Sequence, residues 1–205
     1  MHVYIGKYSI NIPDTDLGIF LSGGADSAIL LYILAKYSKK NIHTYTNKVL
    51  SRFGKQPEYT NKIIEACTKL TDNRNITQHI ITVEQANNAS FSKQFNEVLE
   101  NTNLSLFVGT TALPPLDAYS EFSSKISDTD YMERDPTKQR STTYKNGRLC
   151  LPFFNLNKKD IANIYEHYEL TEILFPLTRS CFIEEHQHCG RCFWCEERKW
   201  AFNKI

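Results

Sequence analysis

Two stretches of this chain combine residue types that do chemistry. The first, Ser22-Gly23-Gly24-Ala25-Asp26-Ser27, gathers two hydroxyls, a carboxylate and adjacent glycines. Adjacent glycines permit backbone angles closed to other residues and let an anion come close to the main chain. The amides of such a turn, the hydroxyls of Ser22 and Ser27 and the positive end of a following helix form a cradle for phosphate. Asp26 is the odd member, because a carboxylate repels phosphate unless Mg²⁺ bridges the two or the side chain caps the helix; we read it as the metal bridge. The stretch has neither the Gly-Lys-Ser/Thr ending of a Walker loop nor the Gly-x-Gly-x-x-Gly of a dinucleotide turn.

The second stretch is Cys181, Cys189, Cys192 and Cys195, spaced Cys-x7-Cys-x2-Cys-x2-Cys. The x2 spacing lets thiolates converge on one tetrahedral ion. Four ligands fill the shell, so Zn²⁺ held here is structural and contributes to folding rather than to catalysis. An iron–sulfur cluster is the rival occupant of a four-cysteine site. Arg179, Arg191 and Arg198 are placed to offset the surplus charge of the thiolates, and His186 and His188 are spare candidates for a ligand, more simply read as solvated loop residues. Cys67 and Cys150 stand among apolar neighbours and read as core.

These residues need elements to hold them. The run Gly18–Leu21 is an apolar strand that meets the glycine turn, and Ala28–Tyr37, apolar nearly all round, is a buried helix. Strands are expected at Ile42–Leu50, Ile76–Val83 and Leu104–Val108, the last ending at Gly109-Thr110-Thr111. Helices are expected from Glu58 to Leu70, with Tyr59, Ile63, Ala66, Cys67 and Leu70 at helical spacing, and from Glu84 to Asn101, with Phe91, Phe95 and Val98 or Leu99 toward the sheet. Asn157 caps a further helix whose apolar stripe is Ile161, Ile164, Tyr165 and Tyr168. Alternating strands and helices of this length predict a doubly wound parallel sheet, because parallel strands need crossover connections. Ligands in such sheets bind at the carboxyl ends of strands, which places Gly109 and Thr110 beside the turn. The polar segment 120–147 has weak periodicity and reads as a mobile loop or edge helix near a site.

The 205 residues fit one compact domain with at most a small appendage, and 41% hydrophobic with 23% charged residues is a globular composition. We divide them into an α/β nucleotide-binding part over 1–175 and a zinc-binding segment over 176–205. A formal net charge of +1 supplies no global field toward nucleic acid or an anionic membrane, so partners must be chosen by a site. The N-terminus has no apolar stretch long enough for a signal peptide, and about 18 apolar residues nowhere run together, so a soluble cytoplasmic protein is expected. A homodimer is left open. Crowding of four of the six cysteines into the last 25 residues argues for metal rather than a disulfide framework.

The turn resembles the Ser-Gly-Gly-x-Asp-Ser signature of the PP-loop ATP pyrophosphatases, which split ATP into AMP and pyrophosphate. The later run Leu151-Pro152-Phe153-Phe154-Asn155-Leu156-Asn157-Lys158-Lys159-Asp160-Ile161, then Ser180-Cys181, His188-Cys189-Gly190-Arg191-Cys192, Cys195, Arg198 and Ala201-Phe202, is similar to one branch of them. That branch is the 7-cyano-7-deazaguanine synthases of the queuosine pathway. The resemblance implies an adenine nucleotide alpha hydrolase-like fold, with Ser22, Gly23, Gly24, Asp26, Ser27, Gly109 and Thr110 binding ATP and Asp26 and Ser27 in catalysis. It implies that ATP and Mg²⁺ convert a carboxylate, 7-carboxy-7-deazaguanine, to an acyl adenylate, which ammonia takes through an amide to a nitrile. It also implies a zinc ion on the four cysteines. Lys48, Arg52, Arg134 and Arg140 are candidate helpers for phosphate charge, each more simply read as a solvated surface charge.

Two segments depart from the branch where the purine is expected. Thr46–Gly54 stands where a Tyr-Gly-Gln-Arg-His-like segment is usual, and Gly109–Ser120 where a Tyr-Pro-Asp-Cys-Arg-like segment is usual. Adenylation of a different acceptor is therefore a rival, as are reactive cysteines in sulfur chemistry and a nucleotide- or nucleic-acid-binding zinc module without catalysis.

Overall fold

The computed structural model describes residues 1–50, 55–84, 88–119, 132–181 and 188–205. The chain opens with antiparallel strands β1 (His2–Ile5) and β2 (Tyr8–Asn11), joined at Gly6, whose φ of 57° suits glycine in a tight hairpin. Val3, Ile5 and Ile10 alternate with exposed residues and enter the main core, so this hairpin is a lid on that core rather than part of the central sheet.

Strand β3 (Leu17–Phe20) is apolar and buried along its whole length, as a strand covered on both faces must be. It leads through the glycine turn into helix α1 (Ala25–Tyr37) and then to strand β4 (Ile42–Val49). Helix α2 (Gln56–Thr71), strand β5 (Ile76–Val83), helix α3 (Asn88–Asn101) and strand β6 (Ser105–Val108) follow. After a short helix α4 (Leu116–Tyr119) come strands β7 (Thr143–Tyr144) and β8 (Leu149–Cys150). The chain closes with helix α5 (Lys158–His167), a 3₁₀ turn at Phe175–Leu177 and helix α6 (Phe193–Phe202).

Six strands form one sheet in the order β5-β4-β3-β6-β8-β7, parallel except for β7, which pairs antiparallel with β8. Strand order reverses between β3 and β6, where Phe20 lies opposite Val108. Doubly wound sheets bind ligands at the carboxyl ends of the strands beside such a reversal.

Alternation along β3 sends Leu17 and Ile19 to one face and Phe20 to the other. The first face meets α1, α2 and α5 in the main core, with Tyr165, Phe175 and Phe202 among its members. The second carries Phe20, Tyr45 and Leu106 against Val98 and Leu99 of α3. Helix α1 is apolar all round because it is enclosed all round: Ile29, Leu30, Leu31, Ile33 and Leu34 are each 0% exposed. Each such side chain contributes roughly 1.5–3 kcal/mol of transfer free energy. On α2 the buried face is Thr60, Ile63 and Cys67, while Leu70, expected on that face, is 38% exposed at the helix's last turn.

Helix α1 starts at Ala25, three residues before the expected Ala28, with Gly24 extended as its cap at φ −77° and ψ 165°. Asp26 and Ser27 therefore belong to its first turn. Helix α3 starts at Asn88 rather than Glu84, and residues 85–87 lie outside the described ones. Of the polar segment 120–147, residues 120–131 also lie outside them. Of residues 132–147, Arg134 and Asp135 are buried and β7 joins the sheet edge, while 141–147 are exposed. Among the described residues no helix is long and apolar enough to cross a membrane.

Candidate ATP site and cysteine cluster

At the end of β3 the chain reverses through Gly23, whose φ of 86° is a left-handed angle that side chains rarely adopt. Ser22 and Ser27 close the turn on itself: their hydroxyls lie 3.1 Å apart, and the Ser22 amide donates to Ser27 Oγ at 3.3 Å. Ser22 Oγ also accepts from the Gly24 amide at 3.3 Å, and Ser27 Oγ donates to the Gly24 carbonyl at 3.1 Å. The amides of Ala25, Asp26 and Ser27 open the helix, where no intrahelical acceptor exists. Helix dipole, open amides and two hydroxyls thus share one small concavity, which suits an anion.

Other elements fix this turn from behind. The Arg179 amide donates to the Gly23 carbonyl at 2.7 Å, so the chain leading to the cysteines lies against the glycines. Tyr165 of α5, fully buried, donates its hydroxyl to the Ala25 carbonyl at 2.8 Å, and burial holds its own pKa well above the usual phenol value. Gly109, at the end of β6, has no room for a side chain: a Cβ there would lie 3.0 Å from the Ser27 nitrogen and 3.1 Å from the Asp26 carbonyl carbon. Thr110 follows, half-buried. Of the residues expected to bind ATP, Gly109 is therefore in contact with the backbone of the other group. Gly109→Ala should push that backbone by a few tenths of an ångström, lowering Tm by about 3–10 °C for a strain of roughly 1–3 kcal/mol and raising the KM for ATP. A thermal scan with nucleotide titration checks it; an unchanged Tm and KM would remove Gly109 from the site.

Asp26 meets a cation that the sequence reading left without a role. Lys158 Nζ donates to Asp26 Oδ2 at 2.5 Å, and the two side chains are 10% and 17% exposed. Asp26 Oδ1 is buried and has no hydrogen-bond partner among the described residues. A buried carboxylate oxygen left open beside a phosphate-shaped turn fits a Mg²⁺ ligand. Lys158 stands directly after the cap Asn157, whose side chain accepts from the Lys159 and Asp160 amides while Asp160 answers the Asn157 amide. That reciprocal box sets where α5 begins and so where Lys158 points.

Arg134, read from sequence as a surface charge, is buried: its guanidinium reaches the Thr111 and Ala112 carbonyls, the Thr111 hydroxyl and Glu197 of α6. Arg140 holds its own loop, donating to the Asp135 and Met132 carbonyls at 2.7 and 3.0 Å. Lys48 is exposed, and Arg52 lies outside the described residues. A cavity of about 310 Å³ is lined by Ala112, Leu113, Pro115, Leu116, Pro136 and Asn157 among others, and none of its described lining residues comes from the turn. Two stretches link it to the turn along the chain: Ala112 stands three residues after Gly109, and Asn157 directly before Lys158, which donates to Asp26.

The four sulfurs of Cys181, Cys189, Cys192 and Cys195 lie within 4.8 Å of one another. Cys189 and Cys195 Sγ are 3.9 Å apart, close to the edge of a tetrahedron with Zn–S bonds of about 2.3 Å. The donor set fits zinc. Arg198 is buried, donating to Thr178 Oγ1 at 2.7 Å and the Phe175 carbonyl at 3.0 Å, with its cation 3.7 Å from the Phe175 ring centre. Burial draws it down to about 10, and Tyr165, Asp26 and Cys195 act against that. His188 is half-buried rather than solvated, with Nδ1 3.8 Å from Cys195 Sγ; His186 lies outside the described residues. Arg179 turns to Tyr59, donating to its hydroxyl at 3.0 Å. Cys67 and Cys150 are core thiols that burial pushes up to about 12 and about 11, which keeps them unreactive.

Two family models match the chain, one from each end. Residues 12–126, more than half of the chain, match the family model described as asparagine synthase. Residues 117–205 match the one described as queuosine biosynthesis protein QueC. Over 60 residues the chain is 38% identical to 7-cyano-7-deazaguanine synthase 1 of Mesorhizobium japonicum, a stretch that is 29% of this chain and 25% of that protein. The match thus spans a quarter of that relative's length. Among solved structures, NMN synthetase from Francisella tularensis is similar at 13% identity and a TM-score of 0.47, covering 94% of this chain and 78% of that one.

Proposed function

Because the chain belongs to the PP-loop ATP pyrophosphatases, through the asparagine synthase family whose model spans more than half of it, we propose that it adenylates a carboxylate and passes the acyl group to ammonia. The acceptor we assign is 7-carboxy-7-deazaguanine, on the likeness of residues 117–205 to the queuosine biosynthesis family. The observation that carries the reading is the turn itself: open helix amides, two hydroxyls and the unpartnered Asp26 Oδ1 meet at the strand-order reversal.

In this reading the triphosphate tail lies on Ser22, Gly23, Gly24 and Ser27, with Gly109 and Thr110 alongside. Asp26 would hold Mg²⁺, which would neutralise phosphate charge when bound. An oxygen of the acceptor carboxylate attacks the α-phosphorus, the bond to the bridging oxygen breaks, and pyrophosphate leaves with that electron pair. Charge grows on the leaving group, where the turn's amides and the Lys158 ammonium face it. Ammonia then adds to the acyl carbon, a proton is lost and AMP departs, leaving the amide. The amide oxygen then attacks the α-phosphorus of a second ATP, with loss of pyrophosphate and one N–H proton, and departure of AMP with loss of the remaining N–H proton gives the nitrile. In this reading the acceptor enters the cavity of about 310 Å³ lined by Ala112, Leu113 and Asn157.

Release of AMP and pyrophosphate, followed with Mg²⁺, 7-carboxy-7-deazaguanine and ammonium, tests this directly. Both products should form only when the acid is present, and cyano or amide product should require ammonium. ATP cleavage stimulated instead by another carboxylate would move the acceptor and keep the chemistry; no cleavage with any acid would end the adenylation reading.

A further inference from the structure

Four charged side chains from distant parts of the chain stand in line behind the turn. Asp26 Oδ2 accepts from Lys158 at 2.5 Å, Lys158 lies 3.7 Å from Glu197 Oε2, and Glu197 Oε1 accepts from Arg134 Nη2 at 2.7 Å. The Glu197 side chain is 1% exposed and those of Lys158 and Arg134 are 10% exposed, so one carboxylate answers two buried cations. At one end the line meets the phosphate turn. At the other, Arg134 Nε donates to the Thr111 carbonyl at 2.7 Å and Nη2 to the Ala112 carbonyl at 3.3 Å, and Ala112 lines the cavity.

We propose that Glu197 is the positioning residue that ties the two half-sites together, holding Lys158 for the nucleotide with one oxygen and the acceptor wall, through Arg134, with the other. This rests on the reading that ATP enters the turn and the acceptor enters the cavity. Two carboxylates and two cations balance while the site is empty. With nucleotide and metal bound, Asp26 would serve the metal and Lys158 the phosphate oxygens, while Glu197 would keep the ammonium compensated and aimed. Without that charge Lys158 has only Asp26 to answer it, closes on it more tightly and competes with the metal. An ion chain used for packing alone could be replaced by apolar side chains with little loss. This chain ends instead on Asp26 Oδ1, buried in the first turn of α1 with no hydrogen-bond partner among the described residues.

Glu197 also comes from the helix that contains Cys195, so the cysteine cluster acts on the ATP site through a named contact. Leu113 packs with Phe193, and the Arg134 cation lies 5.3 Å from the Trp194 ring centre, so the same helix braces the cavity wall.

The test is nucleotide binding and local amide exchange in the full zinc-loaded chain. Glu197→Gln, almost isosteric, should bind Mg²⁺ with α,β-methylene ATP about tenfold more weakly. It should also speed hydrogen–deuterium exchange in two segments, 22–28 and 109–113, with zinc still at one per chain. Glu197→Asp keeps the charge but is one methylene short of reaching both cations, and should lie between; it carries the test if the Gln variant does not fold. Arg134→Met should raise exchange in 109–113 more than in 22–28, a ratio that general destabilisation does not produce. Unchanged nucleotide affinity in the Glu197 variants that fold, or exchange rising evenly over the whole core, overturns the proposal. Failure of the wild-type chain to bind the nucleotide analogue sinks the ATP reading instead.

Discussion

Asp26→Ala is expected to lower turnover at least about 10³-fold, or roughly 4 kcal/mol of barrier, while the protein stays folded with its zinc in place. The size of the effect follows from what the side chain does at once. It stands in the first turn of α1 beside the glycine turn, one of its oxygens is buried with no hydrogen-bond partner among the described residues, and its other oxygen accepts from Lys158. Removing it would take away the proposed metal ligand and let the ammonium swing toward Glu197, 3.7 Å away. Because Glu197 remains to compensate Lys158, the cost in stability should fall below the 3–5 kcal/mol that an uncompensated buried charge exacts. Asp26→Asn should lose activity to a similar degree, since size is kept and charge is not. Steady-state pyrophosphate release, zinc content and a thermal scan together check this; activity within tenfold of wild type would take Asp26 out of the chemistry.

The parts of the fold that the sequence announces are those where one physical signal dominates. Apolar strands alternating with helices of the right length show the order β3-α1-β4-α2-β5-α3-β6, because a parallel sheet requires crossovers and both faces must be covered. The β1–β2 hairpin is missed since its four-residue strands carry only a weak alternation. Strands β7 and β8, two residues each, leave no periodic signature at all. The chemistry divides in the same way. Serines and glycines in the turn and cysteines at x2 spacing are local patterns. Lys158, Glu197 and Arg134 are not: Lys158 meets Asp26 across 132 positions of sequence, and a charged residue seen alone defaults to the surface. The pattern that places Lys158 first after its cap marks its position on α5 and says nothing of what it faces.

Loss of the metal should have the second large effect, and should reach beyond the cysteines. Chelation, or Cys192→Ser, is expected to release the last helix and abolish nucleotide binding together. A structural four-cysteine zinc contributes about 10–16 kcal/mol of apparent binding free energy, which equals or exceeds the roughly 5–15 kcal/mol that holds a whole domain folded. What depends on it here is specific. Cys195 is 0% exposed on α6, and that helix also supplies Phe202 to the main core and buries Glu197 and Arg198. Without the ion the four sulfurs no longer tie α6 to the chain at Cys181, so α6 is free to move off α5. Phe202, stacked on Phe175 with ring centres 3.9 Å apart, then leaves the core, and Lys158 loses Glu197. The chain from Thr178 to Cys181 is freed as well, so the Arg179 amide lets go of the Gly23 carbonyl. Zinc stoichiometry, exposure of apolar surface to a hydrophobic dye and binding of α,β-methylene ATP, followed through a chelator titration, should change together. Nucleotide binding that persists after the metal has gone would show that the turn stands on α1 and β6 alone.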